Sequence, residues 1–455
     1  MTSGRVSLPN GIKVMDESLK IECGDWWGPA NGENDIFQAT RAPIGISVGE
    51  QWLTRLEDSW GNTVRSRLNG CAYTLASWFA GNWWRLRWEP ETPSSCDDVD
   101  WRMSHSMASA GDGYCWPSIL FASDGESIAL ASRATKGPVM GSVRYLNEVS
   151  TRITAKEFER AVDAFMSLVL SRLQSEDYGK NDLEELWGEI MNERQDPKLT
   201  RLRKLEALCG YDPDEAPSSV IKKLVNDESR FGTHALEEVA AYGRHNTVEV
   251  LKQIQPLAAL KKPGRAGIRA TLPDLSPTWK KLASGDRPWQ RASIIAKKAR
   301  QEWGLGSGPI PDRKLAELVK TSASAFTKSG EARTKIPVAF RRGNNNEVDL
   351  FFHSLRSTGR RFAVGRLLGD HCSFVPSEHL IPETEAKTSR QQFQRAFAQE
   401  FLCPLDALRD KIKTRHPDQE DIAEAADYFH VSPLMVRTTL VNNGELDREA
   451  LAWAD

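Results

Sequence analysis

Between Ser389 and Leu408 the chain reads SRQQFQRAFAQEFLCPLDAL, with apolar residues at Phe393, Ala396, Phe397 and Phe401. The i, i+3, i+4, i+8 spacing places them on one face of a helix, and Pro404 ends it. Upstream, RRFAVGRLLGDH (Arg360–His371) sets apolar residues at Phe362, Val364, Leu367 and Leu368. This predicts a strand end running into a buried helix, with Gly365 and Gly369 leaving room for another backbone. DRPWQRASIIAKKARQEWGL predicts a helix from Asp286, with Pro288 in its first turn and a stripe of Ala292, Ile295, Ala299 and Trp303. Pro311-Asp312 starts a second helix carrying Leu315, Leu318 and Val319. Two strands, Ile336–Arg342 and Glu347–Ser354, follow it.

The first 150 residues are patterned differently. Ten of the fifteen tryptophans lie there, among β-branched and small residues. Turn signals stand at Asn69-Gly70, Gly81-Asn82 and Asp124-Gly125, and Ile119–Ser132 reads as a hairpin across the last. Strands are expected to dominate. From about 151 to 260 the period becomes helical. Thr154 begins a capping box, with Ile153 and Phe158 as its apolar staple, and Asn181 caps the next helix. Gly210 and Pro213 then close a helix, leaving Asp212, Asp214 and Glu215 as solvated or capping residues. Leu260–Lys281 is rich in Gly, Pro and basic residues and reads as a linker.

Composition narrows the function classes. A chain of 455 residues suggests several domains, and a net charge of −2 gives no general attraction to nucleic acid or membrane. No apolar run approaches a bilayer span, and MTSGRVSLPNGIKV has no signal-peptide core. The seven cysteines are scattered without a CxxC, which fits thiols in a cytoplasmic protein.

Several separate blocks resemble the ImmA/IrrE family of zinc metallopeptidases. That family carries roughly RFTLAHELGH and then ExxANxFAAELLMP. Arg361, Phe362, Leu368 and Gly369 match the first motif, and Phe397, Ala398, Glu400, Leu402 and Pro404 the second. Phe429–Leu446 (FHVSPLMVRTTLVNNGEL) is similar to the family's closing segment, and the resemblance runs over about 290–446. It implies a zincin-like α+β domain, but the zinc chemistry does not carry over. In HExxH two histidines one turn apart bind zinc, and the glutamate between them is the base. The resemblance puts Arg366, Leu367 and Asp370 at those positions and Phe393 at the third ligand. Arg366 and Asp370, four apart, would then pair where zinc sat.

The expected fold class is therefore α+β. A Trp-rich, mainly β domain of unknown role (1–150) precedes a helical region (151–260), a basic Gly/Pro linker (261–285) and an ImmA/IrrE-like degenerate metallopeptidase domain (286–455) with a small sheet. The expected function is partner binding without catalysis. The partner would be a repressor or toxin encoded nearby, in a mobile-element, toxin–antitoxin, stress or phage-defence system. No cofactor is expected. One alternative is an active hydrolase with a displaced zinc site, for which His353, His371 and His379 are the candidates; His105 and Cys115 form a further nucleophile candidate. The other is a DNA-binding regulator. Its candidates are Arg85 and Arg87 among the tryptophans, Lys261, Lys262 and Arg265 in the linker, and Arg437 on the second helix of a helix–turn–helix outline.

Overall fold

The computed structural model describes residues 18–28, 35–92, 98–136, 143–275, 287–327, 333–343, 346–373, 378–414 and 416–452. The fold is α+β, and tertiary contacts divide the chain into two units, Met1–Pro217 and Ser218–Asp455. Among the described residues no helix is long and apolar enough to cross a membrane.

The first unit holds three small antiparallel sheets. Strands β1 (Leu19–Cys23), β2 (Arg41–Val48) and β3 (Gln51–Trp52) run in that order, and β6 (Leu68–Cys71) also pairs with β2. β4 (Leu56–Asp58) lies between β5 (Thr63–Arg65) and β9 (Val143–Tyr145). β8 (Ser127–Ser132) lies between β7 (Ile119–Ser123) and β10 (Val149–Thr154), which realises the expected Asp124-Gly125 hairpin. The unit's helices are α1 (Ile36–Ala39), α2 (Ala72–Gly81), α3 (Trp83–Trp88), α4 (Val99–His105), α5 (Ala155–Ser175), α6 (Asp182–Gln195) and α7 (Pro197–Leu208). Thr154 and Asn181 cap α5 and α6 as expected. The core packs α2 and α5 on the sheets through Phe79, Phe121, Phe158 and Phe165, with Trp83 stacked on Phe158.

Two expectations fail here. Strands do not dominate this unit: Ala72–Gly81 is all helix α2 and Trp83–Trp88 is helix α3. Aromatic residues favour strands locally, but burial of Trp83 and Trp84 and the Arg85–Glu89 ion pair one turn apart override that preference. Asn69-Gly70 lies inside β6 and not in a turn.

The second unit is built on one sheet in the order β11 (Gly267–Thr271), β13 (Glu347–Phe351), β12 (Val338–Arg342), β14 (Leu380–Pro382), with every pairing antiparallel. Its helices begin with α8 (Ser218–Phe231), α9 (Thr233–Gly243) and α10 (Thr247–Ala259). They continue with α11 (Pro288–Glu302), α12 (Asp312–Leu318), α13 (Ser324–Thr327), α14 (Ser357–Ser373), α15 (Ser389–Leu402), α16 (Leu405–Ile412), α17 (Gln419–Phe429) and α18 (Pro433–Asn442). One sheet face, with Ile268, Ala339, Val348 and Leu350, packs into the core made by α11, α14 and α15. The other is met by α8–α10: Phe231 of α8 lies against Phe340, and the Arg342 guanidinium reaches the carbonyls of Ala258 and Leu260.

This arrangement corrects the domain boundaries. The contact division falls at Pro217–Ser218, so α8–α10 belong with the C-terminal sheet. The expected linker contributes β11, which pairs along its length with β13. Its side chains alternate Ile268 and Ala270 inward with Arg269 outward, a strand pattern masked in sequence by the flanking Gly, Pro and Lys. Residues 276–286, including the expected cap Asp286, lie outside the described residues.

α14 is helical throughout, without the expected strand end. The two glycines do what their positions require. A Cβ on Gly365 would lie 3.0 Å from the Cβ of Ala398, and one on Gly369 would lie 2.9 Å from that of Phe397. Helices α14 and α15 therefore touch along a glycine seam, which sets the geometry of the site between them.

Candidate functional site

The positions singled out in sequence lie where α14, α15 and the strand β14 meet. Leu367 and Phe393 are in the hydrophobic core. Arg366 and Asp370 face the other way, into a buried polar network.

The expected Arg366–Asp370 pair does not form. The Arg366 guanidinium donates from Nη1 to the carbonyl of Glu383 (2.9 Å), and from Nη2 to the carbonyl of Thr384 (2.8 Å) and to Gln394 Oε1 (3.0 Å). Nη2 also donates to Gln391 Oε1. Asp370 instead takes Arg390: Oδ1 accepts from Nε at 2.7 Å and Oδ2 from Nη2 at 3.1 Å. Gln394 joins the two halves, since its Nε2 donates to Asp370 Oδ1 at 2.8 Å. Arg390 thus holds both carboxylate oxygens in a bidentate contact.

Phe393, which the resemblance puts at the third-ligand position, lies in the hydrophobic core. The α15 side chains that reach Arg366 are Gln391 and Gln394, three apart on one face, whereas Phe393 and Phe397 lie in the core. The available sequence signal was Arg390 and Gln394, one turn apart on α15, opposite Arg366 and Asp370 at the same spacing.

The network extends to α9. Glu378 Oε2 accepts from Arg390 Nη1 (2.8 Å), and its Oε1 caps α9 by accepting from the backbone N–H of His234 (2.7 Å) and Ala235 (3.2 Å). Glu238 of α9 accepts from Thr388 Oγ1 at 2.6 Å, while Thr388 caps α15 by accepting from the Gln391 N–H. Burial works to raise the Asp370 carboxyl, but the Arg390 guanidinium and the Gln394 amide outweigh it and hold the group below the usual carboxylate range. Burial raises Glu238, against the pull of Arg390. It pushes Glu383 up to about 8, against the pull of Arg366.

Glu383 yields a pH prediction. Its carboxyl ordinarily ionises near 4.3 in an unfolded chain, so between that value and about 8 the folded state holds a proton that the unfolded state has lost. Stability from this group is present at low pH and is lost as pH rises toward 8. Glu383→Gln should match the native protein in urea unfolding at pH 5 and exceed it by roughly 1–3 kcal/mol at pH 8. Parallel stability profiles for the two proteins would contradict the buried neutral carboxyl.

The residues do not fit a zinc ion. His371 Nε2 donates to the carbonyl of Pro273 (2.8 Å), which leaves Nδ1 as the acceptor, and burial holds the ring neutral. His353 Nδ1 meets the carbonyl of Thr334 at 3.0 Å, and the His379 ring lies 5.6 Å from that of Phe340. Among the described residues no group of three His, Cys, Asp or Glu is placed to hold a metal.

The remaining candidates separate as follows. Arg85 is buried and bound by Glu89 and Asp100, and Arg87 by Glu159 and the carbonyl of Gly125, so neither faces a nucleic acid. Arg437 is buried in the face by which α18 packs, although the helix–turn–helix outline itself is present with Ser432 as cap. Lys261, Lys262 and Arg265 are exposed. His105 is buried between Trp101 and Glu89, while Cys115 is exposed, so the two do not form a nucleophile pair. Asp214 and Asp212 are more than caps: Asp214 takes Arg203 in a bidentate pair, and Asp212 faces Arg85.

No family model, curated protein or solved structure matches this chain.

Proposed function

We propose that the second unit is a catalytically silent relative of the ImmA/IrrE peptidases that acts by binding a protein partner. One observation carries this reading. At the position the resemblance gives to the first zinc histidine stands Arg366, a buried cation whose donors are already directed to the chain's own carbonyls and amides. A guanidinium repels a metal cation and cannot act as a base near neutral pH. Leu367 occupies the place of the general base and lies in the core. The same resemblance suggests a repressor or toxin encoded nearby as the partner, in a cytoplasmic mobile-element, toxin–antitoxin, stress or phage-defence system. The burial of Arg437 weighs against a DNA-reading role for α18.

The purified protein is expected to carry no stoichiometric zinc and to show no saturable zinc uptake by calorimetry. About one zinc per chain by elemental analysis, lost in His371→Ala or His353→Ala, would overturn the reading. Co-expression with each adjacent gene product should yield one stable complex.

A further inference from the structure

The first unit carries a cleft that the partner-binding reading, which rests on the second unit, does not use. Its volume is about 530 Å³, inside the range of roughly 300–1,000 Å³ in which small molecules bind. Three stretches of chain wall it: the turn from β2 into β3 and the residues after it, the end of β5, and the link from β9 to β10.

The backbone of these walls is pinned. Gly49, in the left-handed region at φ +58°, makes the turn between β2 and β3. The Leu146 N–H donates to the carbonyl of Arg55 at 2.9 Å, and Asn147 Nδ2 donates to the carbonyl of Trp52 at 2.7 Å. Thr54 Oγ1 donates to the carbonyl of Ser66 at 2.7 Å, which ties the first wall to the second. The Trp52 indole is seated as well. A Cβ on Gly45 would lie 2.6 Å from its ring, and the Arg67 guanidinium stands over the ring, 5.7 Å from the centroid. The cleft is therefore formed before any ligand arrives.

The side chains on those walls are not used up by the fold. Trp52 is half-buried, and its indole N–H has no partner among the described residues. Arg65 pairs with Asp58, but its Nε is buried without an acceptor. Asn147, with its amide nitrogen engaged by Trp52, keeps Oδ1 as an acceptor. Among the described residues the Arg55 guanidinium and the Glu50 and Glu148 carboxylates make no ion pair, although all three line this one cleft.

These groups select the ligand by exclusion. An apolar molecule would take water from them and return no hydrogen bonds. An anion meets Glu50 and Glu148, and a cation meets Arg55 and Arg65. A zwitterion needs one group of each sign; two of each, with an amide and an indole N–H besides, suit a ring of hydroxyls better. We infer that this cleft binds a saccharide, with a pyranose ring lying against the Trp52 indole. Carboxylate, guanidinium and carboxamide each present two polar atoms in one plane, which matches a pair of neighbouring hydroxyls. The C–H face of the ring takes the aromatic surface.

A glycan array probed with the full chain, followed by calorimetry with the free sugar it selects, tests this. Binding of at least one saccharide is expected. Arg55→Ala and Glu148→Ala should each weaken it roughly tenfold, and Trp52→Ala should weaken it further. Arg55 and Glu148 are exposed, so thermal unfolding of those two variants should match the native chain. They decide the matter if Trp52→Ala disturbs folding. Adenosine monophosphate and phenylalanine, an anion and a zwitterion with planar rings, should not bind. A chain that captures no glycan overturns the proposal. So does a glycan whose affinity ignores the substitutions, which would bind elsewhere, and so does preference for either control over every sugar.

Discussion

A fragment starting at residue 286 is expected to lack a cooperative fold, whereas one starting at Ser218 should unfold as a single unit. The shorter fragment keeps β12, β13 and β14 but loses β11, which pairs with β13, and loses α8–α10 from the opposite sheet face. Phe340 and Phe351, both fully buried, would be opened to water at roughly 1.5–3 kcal/mol each. Asp349, buried between Arg269 and Arg342, would lose the first of them. Thr388 and Arg390 would lose Glu238, and Glu378 the N-terminus of α9. Circular dichroism, dye binding and urea unfolding of the two fragments distinguish the cases. A sharp unfolding transition from 286–455 would show that the sheet stands without its second layer.

Asp370→Ala is expected to cost about 2–4 kcal/mol, since it takes the bidentate carboxylate from the buried Arg390 guanidinium and leaves it only Glu378 and the more distant Glu238. Asp370→Ala with Arg390→Met should recover part of that loss, because the under-compensated guanidinium is gone, while Glu378 keeps its bonds to the N-terminus of α9. The Asp370–Arg390 cycle should therefore show a large coupling energy. The Arg366–Asp370 cycle should show a smaller one, because no hydrogen bond joins them directly and Gln394 bridges them. Urea unfolding at pH 7 measures both. If the Arg366–Asp370 coupling proved the larger, the network would be wired as the bare i, i+4 spacing suggests. The pH dependence follows the carboxylate: its folded-state affinity for protons is depressed, so its contribution is present above the unfolded value and lost as pH falls through the folded one.

What was legible in sequence had a short-range cause. Thr154 and Asn181 cap helices because a side-chain oxygen reaches an N–H three residues away. The Asp124-Gly125 hairpin, the stop at Pro404 and the stripe of α11 likewise depend on neighbours in the chain. The capping box at Thr154 shows where this ends. Thr154 accepts from the Glu157 N–H as expected, but the Glu157 carboxylate goes to the N–H of Leu19, on a strand far away in sequence.

The chain by itself determined where most helices and hairpins start and stop, and that the whole is α+β. Tertiary structure decided the rest. It drew β11 out of a segment with the composition of a linker, because its pairing partner lies some eighty residues on, at Glu347–Phe351. It turned the Trp83–Trp88 stretch into a helix, because burial against the aromatic core outweighed local strand preference. It gave Asp370 to Arg390 and left Arg366 to carbonyls and amides, because the partners of each are set by which helices and strands meet there. Such choices compare partners distant in sequence, and no local window contains the terms of that comparison.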